Sequence, residues 1–141
     1  MRIGTRLGVE ASAERVWEII ADLRNWDGWN PVWTEVSGRI GYGETLSFTE
    51  TLPGATPRKV QAKVIAWTPN ELLHLEIAEG FMTKRVVYLE IDTLSETGAI
   101  FSCGAVFRGL GARSAARKSG RAFKIGMGTL GEAMKAKAER D

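Results

Sequence analysis

Residues 112–138, ARSAARKSGRAFKIGMGTLGEAMKAKA, govern how the rest of the chain is read. Ala116, Gly120, Phe123, Met127, Leu130 and Met134 recur at steps of four and three. At about 100° per residue they share an arc of roughly 80°. Arg113, Arg117, Arg121 and Lys124 occupy an adjoining arc. The pattern predicts one amphipathic helix over 112–138, long enough to span a sheet. Its oddity is four glycines, at 120, 126, 128 and 131, each costing about 1 kcal/mol relative to Ala in a helix interior. Two readings stand: close packing or a kink, or volume left beneath the helix for a ligand.

A helix with one apolar stripe needs an apolar partner, and residues 32–107 supply it. Short runs of β-branched and aromatic residues alternate there with turn signals such as Pro53-Gly54, Thr68-Pro69-Asn70 and Thr97-Gly98, the mark of an antiparallel meander. Strands are expected near 32–38, 44–52, 58–67, 71–77, 83–92 and 99–107. Alternation assigns one face to Leu46, Phe48 and Leu52, to Val60, Ala62 and Val64, and to Leu73, Leu75 and Ile77. Val87, Leu89 and Ile91 follow, then Phe101, Cys103, Ala105 and Phe107. Lys63, Glu76 and Glu90 fall on the opposite face. A sheet apolar on one side must be covered, and the C-terminal helix is the cover.

Upstream, a strand from Ile3 to Val9 leads to a helix start at Ser12, whose hydroxyl accepts a first-turn N–H, with Glu14 placed to suit the dipole. Val16, Ile19, Ile20 and Leu23 make its apolar face. Trp26, Trp29 and Trp33 then crowd a segment broken by Gly28 and Pro31, read as a short second helix or tight turn.

Composition bounds the function. The 141 residues are 44% apolar and 26% charged, which points to a single domain over 1–141 with its own core. One cysteine and one histidine argue against disulfide scaffolds and ordinary zinc sites. No apolar run approaches the roughly 20 residues of a membrane span, and Met1-Arg2-Ile3-Gly4 lacks a signal core; a cytoplasmic, reducing location is the expectation. The net charge of +2 hides an asymmetry, since residues 108–141 hold nine Lys or Arg against three Asp or Glu. Such a segment attracts an anionic surface or serves as a solvated helix face.

A strand, two short helices, a meander and a long terminal helix is the order of the helix-grip fold, and several stretches resemble the START-like superfamily. Glu10-Ala11-Ser12-Ala13-Glu14-Arg15-Val16-Trp17 resembles the opening strand-to-helix segment of its polyketide cyclase/dehydrase and lipid-transport-like branch. Asp22-Leu23 with Trp29-Asn30-Pro31 is similar to the second-helix signature, and Val64 with Trp67-Thr68-Pro69 and Leu73-His74-Leu75 to the mid-sheet hairpin. Phe107-Arg108-Gly109 matches the sheet's end. The likeness spans the chain and implies an α+β fold. In it a curved antiparallel sheet of six or seven strands wraps the last helix around a pocket. Many members carry a glutamate where this chain has Ala105, so the pocket's use stays open.

Gly109-Leu110-Gly111-Ala112-Arg113-Ser114 superficially matches a dinucleotide loop but lacks the βαβ context. His74 alternates with Leu73 and Leu75 and is expected outside the pocket; Cys103 is expected buried and inert. Glu50 shares parity with Leu46 and Phe48, which aims a carboxylate inward, where burial would raise its pKa toward that of a general acid or base. A twist before Pro53 would instead return it to solvent. An inward carboxylate must protonate or find a donor such as a tryptophan N–H, an arginine or a ligand hydroxyl.

The expected pocket is lined by Phe48, Leu75, Leu89, Phe101, Phe107, Phe123 and Met127, with Trp29 near its mouth and Glu50 as polar anchor and tentative catalytic group. Such a lining suits a lipid, polyketide or aromatic-like molecule rather than a sugar or nucleotide. A cyclase or aromatase using the same pocket is the second reading. A non-catalytic module using the basic helix face is the third. No cofactor, metal or nucleic acid is implied, transient membrane contact is allowed for, and the oligomeric state is left open.

Overall fold

The computed structural model describes residues 2–80 and 82–140. Its elements run β1 (Arg2–Val9), α1 (Ala13–Ala21), the 3₁₀ turn η1 (Leu23–Gly28), β2 (Trp33–Ser37), β3 (Thr45–Glu50), β4 (Arg58–Thr68), β5 (Leu72–Ala78), β6 (Thr83–Ser95), β7 (Gly98–Gly109) and α2 (Ala112–Glu139). Seven antiparallel strands lie in the order β1-β7-β6-β5-β4-β3-β2. β2 to β7 form the meander, and β1 pairs beside β7 at the far edge. The sheet is curved and not closed, and it grips α2, as the helix-grip expectation required.

Local chemistry explains the boundaries. Ser12 caps α1 by accepting from Arg15 N at 3.1 Å. The Asn30 side-chain oxygen accepts from Val32 N and Trp33 N at 2.9 and 2.8 Å, so this buried amide replaces a turn's backbone bonds and delivers the chain into β2. Trp26, Trp29 and Trp33 belong to the core. Trp26 is fully buried, donates to Ile20 O at 3.0 Å and packs on Trp29 and Trp33.

The face assignments hold along β3 to β7, with the inward set buried in one continuous cluster except Leu52, which lies past the end of β3 and is partly buried against it. α2 lays Ala116, Gly120, Phe123, Met127, Leu130 and Met134 on it, all buried, while Arg113, Arg117, Arg121 and Lys124 are exposed. At 28 residues the helix is about 42 Å long. Close packing accounts for three of its glycines. A methyl at Gly120 would sit 2.9 Å from Ile3, at Gly126 3.2 Å from Leu52, and at Gly131 3.0 Å from Leu7. At Gly128 it would meet nothing within 4 Å. Among the described residues no helix is long and apolar enough to cross a membrane.

The sheet's outer face has its own close approach. Gly4, Gly104 and Tyr88 stand in one cross-strand row, and a methyl on either glycine would fall about 2.3–2.5 Å from the Tyr88 hydroxyl. The glycines are the hollow that lets Tyr88 lie flat over β7 and β1 and accept from Arg2 Nε at 3.2 Å. Two substitutions test these contrasts in urea unfolding. Gly128→Ala is expected to stabilise the protein by about 1 kcal/mol. Gly104→Ala, whose new methyl would also strike the Ile3 carbonyl and Gly4 Cα, is expected to destabilise it by about 3 kcal/mol.

Candidate functional site: a cleft above a buried charge ring

The residue around which the site is organised is Glu50, the last of β3, opposite Trp33 on one side and Arg58 on the other. Its inward parity survives to the strand end, so the carboxylate is 2% exposed beneath the sheet. Arg85 comes from β6, three inter-strand steps or about 14 Å away along the sheet. Curvature lets the two long side chains meet across the concave face. Arg85 Nη1 donates to Glu50 Oε2 at 2.8 Å and Nη2 to Oε1 at 3.0 Å, a bidentate pair. Trp33 Nε1 adds a third donor to Oε2 at 2.8 Å.

A second carboxylate completes the arrangement. Glu79, just beyond β5, takes two bonds from Arg58 Nη2 at 2.6 and 2.9 Å. Arg58 Nη2 also reaches Glu50 Oε1 at 3.4 Å. Arg85 Nε lies 2.8 Å from Glu79 Oε2, an ion pair whose N–H is not aimed squarely at the oxygen. The result is a ring, Glu50–Arg85–Glu79–Arg58, of two negative and two positive charges. Arg85 is buried like Glu50, its guanidinium 5.4 Å from the centre of the Phe123 ring. Arg58 is half exposed.

The electrostatics follow. Burial pushes the Glu50 pKa up, but Arg85's charge and hydrogen bonds, the Trp33 N–H and Arg58 outweigh it, and the carboxyl is held below the ordinary glutamate range. The expected upward shift is therefore corrected: of the two fates open to an inward carboxylate, this one found donors. Four donor contacts occupy its two oxygens, so it is built to hold Arg85 in place rather than to take up a proton. Arg58 is likewise pushed down by burial and up more strongly by Glu79 and Glu50, ending above its usual value.

The ring floors a cleft of about 560 Å³, within the range of small-molecule sites. Leu52, Ala55 and Thr56 of the β3–β4 loop form one wall. Ser114, Ala115, Lys118 and Ser119 on the first turns of α2 form the other, with Phe107 and Phe123 at the back. The two rings meet edge to face at 6.3 Å.

Of the residues expected to line the pocket, Glu50, Phe107 and Phe123 meet here. Phe48, Leu75, Leu89, Phe101 and Met127 do not; they are packed in the closed core. Alternation gives the face but not the distance along a strand, and α1, η1 and α2 cover the rest of that face. Trp29 borders a separate depression with Arg15, Glu18 and Lys137, not this mouth. Arg58, Glu79 and Arg85 are not among the expected site residues, although Arg85 extends the parity of Val87 and Leu89 and is legible in that way. His74 lies on the outer face, 2.7 Å from Glu90. Cys103 is buried, its thiol pushed up to about 12 by burial. Gly109–Ser114 runs from the end of the antiparallel β7 into α2, so among the described residues it is not part of a βαβ unit.

Comparison with known proteins fits this architecture. The profile of the family described as polyketide cyclase/dehydrase and lipid transport matches residues 5–139. The chain belongs to this family. A START superfamily protein from Mycobacterium smegmatis superposes with a TM-score of 0.74 at 16% identity, covering 98% of this chain and 97% of that one. The Streptomyces aromatase/cyclase Zhui gives 0.73 at 16%, covering 99% and 94%. Norcoclaurine synthase from Thalictrum flavum gives 0.74 at 14%, covering 100% and 94%. At these identities the likeness is one of fold. A search of curated proteins finds no match. For this member of the polyketide cyclase/dehydrase and lipid-transport family, the site rests on its own residues.

The buried pair has a measurable signature. Because the Glu50 pKa is depressed in the folded state, the unfolded chain binds this proton more readily. The stabilisation is complete above the unfolded value of about 4.3 and is lost as pH falls through the lower folded value. Glu50→Gln is expected to flatten that acid limb of the stability profile. At neutral pH it should cost about 3 kcal/mol, since it leaves Arg85 buried with one carboxylate fewer. Glu50→Leu combined with Arg85→Leu should recover part of the loss. Urea titrations across the acid range check all three.

Proposed function

We propose that this protein binds a small amphipathic molecule in the cleft between the β3–β4 loop, β6 and the first turns of α2. The observation that carries the reading is the cleft's two-sided chemistry. Phe107, Phe123, Leu52 and Ala115 offer apolar surface, and the Arg58–Glu79 edge of the charge ring offers fixed donors and acceptors. A molecule with an apolar body and a hydroxyl or carbonyl end satisfies both, burying its body against the rings and exchanging hydrogen bonds with Arg58, Ser114 or Ser119. Family membership supports the same reading, as do structural neighbours that include an aromatase/cyclase.

On this reading Glu50 is a positioning residue that holds Arg85 and with it the cleft floor, and the polar contact with ligand falls to the more exposed Arg58. The neutral ring also favours an uncharged ligand end over a strongly anionic one, because the two arginines are already matched by two carboxylates.

Filling the cleft tests the proposal. Ala115 lines it from a partly exposed helix position, so Ala115→Trp occupies the space without entering the core. Affinity for an uncharged apolar fluorescent probe such as Nile red, and retention of co-purified ligand in native mass spectrometry, should both fall at least about tenfold, the equivalent of roughly 1.4 kcal/mol. Ala136→Trp, on an exposed part of α2 outside the cleft, should leave both unchanged. Equal probe affinity in wild type and Ala115→Trp would place binding elsewhere.

A further inference from the structure

Two turns meet at the cleft's mouth. Thr83 stands opposite Gly109 in the β6–β7 ladder, and its hydroxyl donates to the Leu110 carbonyl. The end of the β5–β6 connection is thereby tied to the β7–α2 connection. Each presents a large apolar side chain to water: Met82 is 56% and Leu110 68% exposed. Met82 also holds a left-handed backbone, φ 58°, a conformation uncommon for a residue of its kind and one that keeps this side chain at the tip. Neither residue lines the cleft, yet Thr83, Gly111 and Ser114 beside them do.

Beside this tip Leu110, Arg113 and Arg117 border one shallow depression, and Glu79 of the β5–β6 connection is already matched by Arg58 and Arg85. From Arg108 to Gly131 the sequence carries six cations, Arg108, Arg113, Arg117, Lys118, Arg121 and Lys124, and no Asp or Glu. Among the described residues none of the six forms an ion pair. Elsewhere on the surface several cations are matched, Arg39 with Glu44, Lys84 with Glu76, Lys135 with Glu139, and those without an ion pair among the described residues, such as Arg6, Arg24 and Lys63, are scattered along the chain. Helix stability does not explain the difference, because Arg113 lies in the first turn of α2, where the dipole disfavours a cation, and that turn holds no acid. Unmatched cations on long flexible stems around two exposed apolar side chains complement a surface that is anionic outside and apolar beneath.

We propose that this end of the molecule docks on an anionic phospholipid bilayer, inserting Met82 and Leu110 among the acyl chains while Arg113, Arg117 and their neighbours contact headgroup phosphates. The cleft's mouth then faces the lipid. An acidic protein would match the cations but leave the two apolar tips without a partner, which is why the bilayer is the better fit.

Sedimentation with phosphatidylcholine vesicles, with and without phosphatidylserine, tests this. Wild type should bind the serine-containing vesicles, lose binding as salt rises, and bind pure phosphatidylcholine far less. Met82→Ser and Leu110→Ser should each weaken binding about tenfold. Arg113→Gln and Arg117→Gln should each weaken it about fivefold. All four side chains lie outside the described cleft, so probe affinity there should not change, and failure of docking is distinguishable from failure of ligand binding. Leu110→Cys provides a direct readout: buried Cys103 resists labelling, so an environment-sensitive fluorophore reports position 110, and its emission should shift to the blue on the anionic vesicles. Absence of vesicle binding, equal binding to neutral vesicles, wild-type affinity in both serine variants, or a fluorophore that stays wet would each overturn the proposal. So would retention on polyglutamate without retention on vesicles.

Discussion

A carboxylate and a guanidinium from strands three steps apart meet beneath the sheet, and the geometry of the cleft depends on that meeting. Glu50 and Arg85 are both almost fully buried. An isolated charge there would be several kcal/mol uphill; two bidentate bonds, the Trp33 N–H and the flanking Glu79 and Arg58 bring the group to neutrality. The pair also demands a particular curvature, because a flatter sheet would carry β3 and β6 too far apart for the side chains to touch. Polar residues at this depth thus tie the open edge of the sheet to its centre, where apolar contacts alone would tolerate a range of bends.

The rest of the interior is apolar and closed. α1 and η1 seal one end of the concave face with Val16, Ile20 and Trp26, and the C-terminal half of α2 seals the middle with Met127, Leu130 and Met134. α2 approaches β1 and the β3–β4 loop closely at three of its four glycines. Among the described residues the cleft lies toward the N-terminal end of α2, where small residues, Ser114, Ala115 and Ser119, face the charge ring. The cleft and the cationic stretch therefore share the N-terminal part of α2.

That coincidence gives the proposed binding and docking activities a shared geometry without making either depend on the other. Ligand contact is assigned to Arg58 and the aromatic back wall, whereas membrane contact is assigned to Met82, Leu110 and the outward arginines. The outer face of the sheet plays a different part. Tyr88 over the Gly4–Gly104 hollow, together with Arg2, Glu90 and His74, forms a polar layer over β1 and β5 to β7.

The sequence by itself determined the element order, the inward face of each strand from β3 to β7 and the buried stripe of α2, since these follow from periods of two and of 3.6 residues that one-dimensional pattern carries in full. It also pointed Glu50 inward. Tertiary structure decided the rest. Phe48, Leu75, Leu89, Phe101 and Met127 share parity with Phe107 and Phe123 but lie deeper under helices, so alternation could not separate core from cleft. The fate of Glu50 was decided by Arg85, 35 residues away: a buried carboxylate has a raised or lowered pKa according to whether a cation meets it, and that meeting is set by sheet curvature, which no local pattern records.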